Sequence, residues 1–503
     1  MFKNIGSTWI LNLLQIAVVL VLSPYVLKRL GEDQNGVWVT IVAFTGILSL
    51  LILGVPMAAV RFVAEQVARQ DLPRANAVVA TCVVICGALG AAALVVGAIL
   101  WWVFRARYLD GPHAQVLGPG VADGASLAFV MVSLQVAFAF VMRLPYGIFD
   151  AHHDFVARNA IMAGELVLRL ATTLTFLHHD ASLPALALVQ IVSMLFEFTT
   201  AMVVLRRRHP GIRFSWRGYD PAILRSVLGF SVFAMLLNVG TLLAFRVDAI
   251  VIGAFLEPRH ATWFDVGNKF FDPMMGLLIA VGAVVMPKAA DLKARGREGE
   301  LRDVFLKWSK ICLSIVLLLG IYLLVAGPDF LGWWVGSEFV EPSGRVLQVL
   351  MLSFLVYLPV RGVALPILLG LGKPKAPAVG LLVMGIVNVG ISLALVGSMQ
   401  ILGVALGTAI PNVLFAVFVL TLACRELSVG LGEYVSYVLV KALVGALVPF
   451  GLLLGYREVF GLGSFVHLFV AGVATVASFA LVWAFFVYRG DPHVTVPGLR
   501  RSA

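Results

Sequence analysis

Residues 76–104 read NAVVATCVVICGALGAAALVVGAILWWVF, a run without one charged side chain. A helix needs about 20 consecutive apolar residues to cross the hydrocarbon core of a bilayer, so this run predicts a transmembrane helix. The whole chain of 503 residues follows the same pattern, because it is 61% hydrophobic and 13% charged, with a mean hydropathy of +0.99. Soluble domains are roughly half apolar and a quarter charged. The sequence therefore predicts an integral membrane protein.

The polar stretches between the apolar runs are short, about 20 residues at most. They leave no room for a nucleotide-binding domain, a glycosyltransferase domain or a large extracytoplasmic domain. The four cysteines lie in apolar segments without metal-ligand spacing, and no GxxxxGK[ST] phosphate-binding loop occurs. We therefore expect neither a metal site nor a cofactor.

Long apolar runs, separated by charged or Gly- and Pro-marked breaks, predict an all-α integral membrane protein with about 14 transmembrane helices. The helices are grouped as six, six and two. The predicted spans are Thr8–Lys28, Val37–Val60, Asn76–Phe104, Gly124–Phe149, Val156–His178 and Leu183–Arg206, then Val227–Phe255, Trp263–Pro287, Val304–Ala326, Gly344–Gly370, Ala376–Val396 and Ile401–Cys424, and finally Tyr434–Leu454 and Phe465–Tyr488. The predicted divisions are an N-terminal six-helix bundle (1–206), a basic cytoplasmic linker (207–221), a C-terminal six-helix bundle (222–425), two additional helices (426–488) and a cytoplasmic tail (489–503).

Lysine and arginine residues are distributed unevenly over the predicted loops. If the N-terminus is cytoplasmic, the loops on that side carry about three times as many of them as the opposite side. Basic loops resist translocation, so we predict that both termini are cytoplasmic. Most of the net charge of +10 therefore lies in cytoplasmic loops, where it determines the topology and can contact anionic membrane lipids. The same placement argues against a nucleic-acid partner.

The two sets of six predicted helices look like copies of each other. A shift of about 221 residues places Pro145 on Pro366, and a shift of about 226 residues places Glu65 on Asp291. Internal duplication is the usual construction of secondary transporters, whose substrate site lies between the two halves near the bilayer midplane. We therefore expect a transporter in which both copies begin on the cytoplasmic side.

Four segments carry a resemblance to a known family. They are Leu53–Glu65 (LGVPMAAVRFVAE), Asp248–Leu256 (DAIVIGAFL), Pro287–Leu292 (PKAADL) and Gly370–Pro374 (GLGKP). Together with the grouping of six, six and two helices, they resemble the polysaccharide-biosynthesis branch of the multidrug/oligosaccharidyl-lipid/polysaccharide exporter superfamily. The resemblance covers essentially the whole chain.

The resemblance implies two six-helix bundles that form a V around a central cavity and work by alternating access. The implied substrate is a polyprenyl-diphosphate-linked oligosaccharide, moved from the cytoplasmic to the outer leaflet of a bacterial inner membrane during cell-surface polysaccharide synthesis, such as that of O-antigen, lipopolysaccharide or exopolysaccharide. The two additional C-terminal helices argue against the twelve-helix drug exporters of the superfamily. Whether polysaccharide polymerase and co-polymerase proteins dock onto the chain stays open.

Ionisable residues within the predicted spans are the candidates for function, because each costs about 2.5–3.5 kcal/mol at the bilayer centre and normally faces a cavity or a partner. Planar guanidinium groups bind phosphate oxygens with two hydrogen bonds, so cations in a cavity suit a diphosphate. A carboxyl group in low dielectric can take up a proton on one side of the membrane and release it on the other. The candidate substrate-binding residues are Arg143, Arg246, Arg361, Arg169, Lys269 and Arg61, and the candidate ion-coupling residues are Glu165, Glu197 and Asp248.

Some of these charges also have a purely structural interpretation. Glu165 and Arg169 stand one helical turn apart and can pair along their own helix, as can Asp265 and Lys269. Arg143, by contrast, has no acidic residue within four positions, and the same is true of Arg361.

Arg246 and Asp248 are two positions apart, so on a helix their side chains point about 200° away from each other. Each of them therefore needs a partner from another part of the chain.

Two other classes of function remain open. A cation-coupled small-molecule or multidrug exporter of the same superfamily would share the fold. A membrane-embedded polysaccharide polymerase or ligase would need a sizeable outer loop with catalytic Arg, His or acidic groups. The longest predicted outer loops, Arg105–Asp123 and Gly327–Ser343, contain no such constellation. We therefore expect a transporter and not an enzyme.

Overall fold

A computed structural model of the chain describes residues 2–52, 54–110 and 119–494, without the side chains of residues 2–6, 8, 9, 57, 119 and 228–238. All regular secondary structure in this part of the chain is helical, as predicted. Residues 495–503 of the predicted tail and residues 111–118 of the first predicted outer loop lie outside the described residues.

The helices up to residue 208 are α1 (Phe2–Gly46), α2 (Val55–Ala68), α3 (Leu72–Phe104), α4 (Pro119–Met142), α5 (Leu144–Ala151), α6 (Phe155–His179) and α7 (Leu183–Arg208). The later helices are α8 (Pro221–Phe245), α9 (Asp248–Phe255), α10 (Pro258–Asn268), α11 (Phe271–Ala294), α12 (Glu298–Trp334), α13 (Pro342–Gly362), α14 (Ala364–Gly370), α15 (Lys375–Glu426), α16 (Leu431–Tyr434), α17 (Lys441–Phe460) and α18 (Phe465–Val482). Short 3-10 or π-helical segments continue some of them, for example Ile47–Ile52 after α1 and Trp483–Val487 after α18.

Within the described residues, 11 helical segments are long and apolar enough to cross a membrane. Two of them, Ile10–Ile52 and Lys375–Glu426, are long enough for two crossings each. Both are interrupted near the middle, at Gly31 (φ 77°, ψ 172°) and at Gln400 (φ 51°, ψ −133°). The structure thus confirms a multi-pass all-α membrane protein, whereas the count of about 14 helices stays a prediction.

The chain packs into two compact units. The first unit comprises Met1–Leu242 and Ile252–Thr262, and the second comprises Leu243–Val251 and Trp263–Ala503. α12 and α13 are the most deeply buried candidate spans of the second unit, with 67% and 72% of their most apolar stretch inside the protein. The bundle boundaries that the sequence predicts at residues 206 and 222 stay predictions.

Five predicted spans that the sequence analysis treated as continuous contain a break. The fourth span breaks at Arg143, the seventh at Arg246 and Val247, the eighth at Lys269 and Phe270, and the tenth at Val363. The second span breaks at Gly54, whose φ of 73° lies in the left-handed region that favours glycine. In several cases a proline follows within three residues and starts the next helix, where its missing N–H is harmless.

The two C-terminal helices, α17 and α18, are attached to α12 by a buried ion pair. The ammonium Nζ of Lys310 lies 2.5 Å from Oδ2 of Asp491, which follows α18, and both side chains are 1% exposed. The hydroxyl of Tyr437 donates to Oδ1 of the same carboxylate at 2.6 Å, and the backbone N–H groups of His493 and Val494 also donate to it. Burial opposes ionisation of Asp491, but these hydrogen bonds outweigh it and hold the pKa of Asp491 below its ordinary value. The carboxylate therefore stays charged at neutral pH.

The ion pair predicts a large effect of Lys310→Met on stability. The substitution leaves the Asp491 carboxylate buried without its cation, and breaking a buried pair in this way costs about 3–5 kcal/mol. We expect a clearly lower midpoint of thermal unfolding for the detergent-purified protein, measured by tryptophan fluorescence.

Lys307→Met is the matched control, because Lys307 lies on the same helix without a carboxylate within ion-pairing distance among the described residues. The double variant Lys310→Met/Asp491→Leu should recover most of the lost stability, because it leaves no charge buried. Equal midpoints for Lys310→Met and Lys307→Met would show that the pair does not hold the C-terminal helices.

Candidate functional site

In the first unit, four of the predicted site residues meet around the break between α4 and α5. Arg143 occupies the break itself. Glu197 on α7 accepts a hydrogen bond of 3.1 Å from the hydroxyl of Tyr146 on α5, and it lies within electrostatic range of Arg143, Glu165 and Arg169. The first unit thus gathers two arginines and two glutamates at the level of a broken transmembrane helix.

The internal pairing of this cluster is uneven. Arg169 and Glu165, one turn apart on α6, form the ion pair expected from their spacing, with 2.7 Å between guanidinium and carboxylate. Glu165 is buried, with 4% of its surface exposed. Arg143 is exposed, and no carboxylate of the described residues lies within 4.0 Å of it. Glu197 lies within electrostatic range of Arg143.

In the second unit, an aromatic cluster joins two helix breaks. The ring of Phe245, next to Arg246, stacks on Phe271 at 4.8 Å and lies 5.7 Å from the ring of Tyr357. Phe271 follows the break at Lys269, and Tyr357 lies one turn before Arg361 on α13. These contacts bring the breaks of the seventh and eighth predicted spans together and place them against α13, six residues before the break of the tenth span at Val363.

The cations at these three breaks differ in their partners. Lys269 pairs with Asp265 at 2.6 Å on its own helix. Arg246 lies 3.3 Å from Asp272, and both side chains are about two-thirds exposed, at 63% and 65%. The remaining cation, Arg361, lies one turn after Tyr357 on α13, and no carboxylate within the described part of the chain lies within 4.0 Å of it.

Asp248, at the start of α9, is not paired with a cation in the described residues. Its side chain is 4% exposed and accepts a hydrogen bond of 2.8 Å from the hydroxyl of Thr408. The amide of Asn388 donates to the same hydroxyl and to the carbonyl of Ala244, both at 3.0 Å, and Ser392 donates to the Asn388 amide oxygen. Oδ1 of Asp248 has no hydrogen-bond partner in the part of the chain that the structure describes.

This arrangement places a buried carboxylate next to a neutral hydroxyl donor, without a cation partner among the described residues. A carboxylate without a cation partner is costly to bury, whereas a proton or a small hard cation would neutralise it. The role of Asp248 as an ion-coupling residue stays a prediction.

Arg61 lies apart from these clusters in the sequence and on a separate helix, α2. It is exposed, with its guanidinium 5.6 Å from the ring centroid of Phe62. α2 packs against α5, because a Cβ at Gly147 would lie 3.4 Å from a methyl group of Val60. Arg61 is therefore the next residue after Val60, where α2 contacts α5.

Several residues of these clusters were missed from the sequence. Tyr146, Tyr357 and Thr408 are uncharged, so they do not stand out in an apolar segment. The partner of Tyr146 lies 51 positions away and that of Thr408 lies 160 positions away, so no local pattern identifies them. Lys310 was missed although it is a cation inside an apolar run. Within the described residues, no group of three or more His, Cys, Asp or Glu side chains is placed to hold a metal ion.

Comparison with known proteins places the chain in a family. A family model described as polysaccharide biosynthesis protein matches residues 1–293, more than half of the chain. The chain belongs to this family. A curated family relative, the probable low-salt glycan biosynthesis flippase Agl15 of Haloferax volcanii, is 22% identical over 249 residues. The match covers 49% of this chain and 51% of the relative, so the chain spans about half the length of that protein.

Solved structures extend the likeness to the whole fold of this polysaccharide biosynthesis protein. The lipid II flippase MurJ in an inward closed conformation matches with a TM-score of 0.71 and 12% identity, over 97% of this chain and 99% of MurJ. An inward-facing multidrug resistance transporter of the MATE family matches with a TM-score of 0.66 and 16% identity, over 82% of this chain and 98% of its own. The chain thus has the fold of these two proteins, which confirms the predicted all-helical membrane architecture.

The Asp248 network predicts a stability effect of Thr408→Val in this family member. Valine has nearly the shape of threonine but cannot donate, so the buried carboxylate would lose its hydrogen bond. We expect the free energy of unfolding to fall by about 1–3 kcal/mol, measured by thermal unfolding in detergent.

Thr421→Val on the same helix is the matched control, because the Thr421 hydroxyl donates to the backbone carbonyl of Val417 at the protein surface. Its effect should stay within about 0.5 kcal/mol. A Thr408→Val protein as stable as the Thr421→Val protein would mean that the Asp248 carboxylate does not depend on this hydrogen bond.

Proposed function

We propose that this polysaccharide biosynthesis protein is a flippase for a polyprenyl-diphosphate-linked oligosaccharide. It moves the lipid from the cytoplasmic to the outer leaflet of a bacterial inner membrane by alternating access, with both termini in the cytoplasm. The product serves the synthesis of a cell-surface polysaccharide such as O-antigen, lipopolysaccharide or exopolysaccharide. Family membership, a relative named as a glycan flippase and a fold similar to that of a lipid II flippase support this proposal.

The position of the cations at helix breaks is the observation that carries the proposal. Arg143, Arg246 and Lys269 each occupy a break in a predicted span, and Arg361 lies two residues before another. Non-helical backbone at membrane depth is tolerated only where it is buried in protein or lines a water-filled cavity. In transporters, broken helices of this kind form the substrate site. Fixed cations there replace the water that hydrates the two negative charges of a diphosphate.

The cations are not equivalent in this proposal. The charges of Arg169 and Lys269 are already neutralised by carboxylates on their own helices, at 2.7 and 2.6 Å. Arg246 shares its charge with Asp272 in an exposed pair, which costs little to open. Arg143 and Arg361 lack such a partner within 4.0 Å among the described residues. We therefore assign the principal diphosphate contacts to Arg143 and Arg361, with Arg246, Arg169, Lys269 and Arg61 in supporting positions.

Ion coupling is assigned to carboxylates of the same clusters. Protonation of Glu197 would remove the negative charge near Arg143 and so strengthen the attraction of that arginine for an anion. Glu165 belongs to the same cluster through its pair with Arg169. In the second unit, the buried Asp248 can gain and lose a proton or a small cation without breaking an ion pair. The proposal thus assigns both substrate binding and ion binding to residues of each unit.

The flippase proposal predicts the effect of removing the two unpaired arginines. Arg143→Ala and Arg361→Ala should each slow transport tenfold or more, because a hydrogen bond to a charged group contributes about 1.5–3 kcal/mol. Arg361→Lys should be intermediate, since it keeps the charge but not the planar fork. The measurement is the outward movement of lipid-linked oligosaccharide in proteoliposomes, and its accumulation in the inner leaflet of cells that carry only the variant.

Arg345→Ala is the control, because Arg345 lies in an exposed ion pair with Glu341 at the start of α13. It should transport at the normal rate. Normal glycan export in cells without the protein would contradict the flippase proposal. If such cells instead became sensitive to toxic small molecules, the protein would be a cation-coupled exporter of the same superfamily.

The coupling assignment predicts that Asp248→Asn uncouples transport from the ion gradient. Asparagine keeps the shape and can still accept the hydrogen bond from Thr408, but it cannot change charge. We expect an imposed gradient to accelerate transport by the normal protein and to leave the variant unaffected. Separate proton and sodium gradients across proteoliposomes identify the coupling ion.

Glu341→Gln provides a control outside the clusters and should keep the response to the gradient. Glu197→Gln and Glu165→Gln test the carboxylates of the first unit in the same assay. An Asp248→Asn protein with an undiminished response would exclude Asp248 as the coupling group, and a Glu197→Gln protein without a response would move that role to the first unit.

A further inference from the structure

A groove opens between the two halves of α15 in the second unit. It encloses about 640 Å³ and is lined almost entirely by apolar side chains, among them Val379, Val383, Leu414 and Phe418. The chain doubles back at Gln400, so residues before and after this break form the two walls. A Cβ at Gly380 would lie 2.8 Å from the ring of Phe418, so glycine at this position lets the ring form part of the floor.

The groove is open to the surroundings of the helix. Val379, Val383 and Leu414 are 62%, 50% and 59% exposed, and they lie within a segment long and apolar enough to cross the membrane. In a bilayer, the medium that such a surface meets is lipid. The groove is therefore accessible to a hydrocarbon chain from the side.

One end of the groove is cationic. Lys375, the first residue of α15, belongs to the lining. An ion pair between Lys373 and Glu426 holds the beginning and the end of α15 side by side, which brings Arg425 to the same end of the groove. Glu426 is thus engaged by Lys373. Lys375 and Arg425 have no carboxylate within ion-pairing distance among the described residues, so this end carries two uncompensated positive charges.

We propose that the groove binds an anionic phospholipid of the bilayer, with an acyl chain along the apolar walls and the phosphate at Lys375 and Arg425. Basic pockets between transmembrane helices at the membrane surface are suited to anionic head groups. The proposed topology places Lys375 at the cytoplasmic side, where the leaflet is anionic. A zwitterionic head group would bring its own cation to the same place and fit less well.

A second apolar groove serves as a comparison, because it lacks a cation at its end. It encloses about 510 Å³ between α12 and α18, and its lining includes Tyr322, Phe330 and Phe469 but neither lysine nor arginine. That groove offers a hydrocarbon chain the same apolar surface without a charge at its end. The cationic end therefore distinguishes the groove of α15 as the one that selects an anionic lipid.

The test is a lipid titration of the full-length detergent-purified protein, followed by native mass spectrometry. Phosphatidylglycerol should bind more tightly than phosphatidylcholine. Lys375→Gln should weaken phosphatidylglycerol binding about fivefold, the factor that corresponds to the contribution of one interfacial cation. Val383→Trp, which fills the groove without changing charge, should weaken binding at least as much.

Two matched variants control for unspecific effects. Lys441→Gln removes an exposed lysine from α17, and Leu393→Trp adds the same bulk to an exposed position of α15 that does not line the groove. Both should bind phosphatidylglycerol normally.

Three results would overturn the proposal. Lys375→Gln and Val383→Trp could bind phosphatidylglycerol as the normal protein does, or phosphatidylcholine could bind equally well in a manner that depends on Val383. In the third, undecaprenyl phosphate binds with higher affinity than phosphatidylglycerol and displaces it, and its binding is weakened by the same substitutions of Lys375 and Val383. This result would assign the groove to a polyprenyl chain instead. Each result is independent of whether the protein transports oligosaccharide.

Discussion

In the hydrocarbon core of a bilayer, every backbone N–H and C=O group must find its hydrogen bond inside the protein, because no water replaces a missing partner. This constraint accounts for the helical character of the described chain, and it makes each break within an apolar run an exception that needs compensation. Arg143, Arg246 and Lys269 stand at such breaks, and Val363 follows Arg361 by two residues. A charged side chain has the same need for polar surroundings as a free backbone group. Four of the five breaks within the predicted spans accordingly have a cation at the break or two residues from it, whereas the break at Gly54 has none.

The sequence predicts the helical membrane fold well, because hydropathy averaged over some 20 residues responds to apolar length. One interrupted turn hardly changes the hydropathy averaged over such a window, so hydropathy does not predict the breaks. Local signals for some of them exist, such as Pro145 and Gly54. Two of the segments that carry the family resemblance coincide with breaks: Leu53–Glu65 contains Gly54, and Asp248–Leu256 begins where α9 begins. One of these segments therefore contains a break, and the other begins directly after one.

The candidate site could be predicted only as far as its contacts are local. The pairs Glu165–Arg169 and Asp265–Lys269 follow from a spacing of four residues on one helix, and both are present. The partner of Lys310 is 181 positions away and that of Asp248 is 160 positions away. Such pairs depend on how distant helices pack, and a single sequence does not contain that information. Composition can show that a buried charge needs a partner, but it cannot identify the partner.

The two arginines without a local acid occupy related places in the two units. Arg143 directly precedes α5, a helix of 8 residues that contains Pro145, and Arg361 precedes by three residues α14, a helix of 7 residues that contains Pro366. Under the shift of about 221 residues that places Pro145 on Pro366, Arg143 falls three residues from Arg361, so the two arginines are close to one helical turn out of register. A cation paired along its own helix has little charge left to attract an anion, whereas these two keep theirs. Each unit thus has one arginine beside a short proline-containing helix whose charge is not taken up along its own helix.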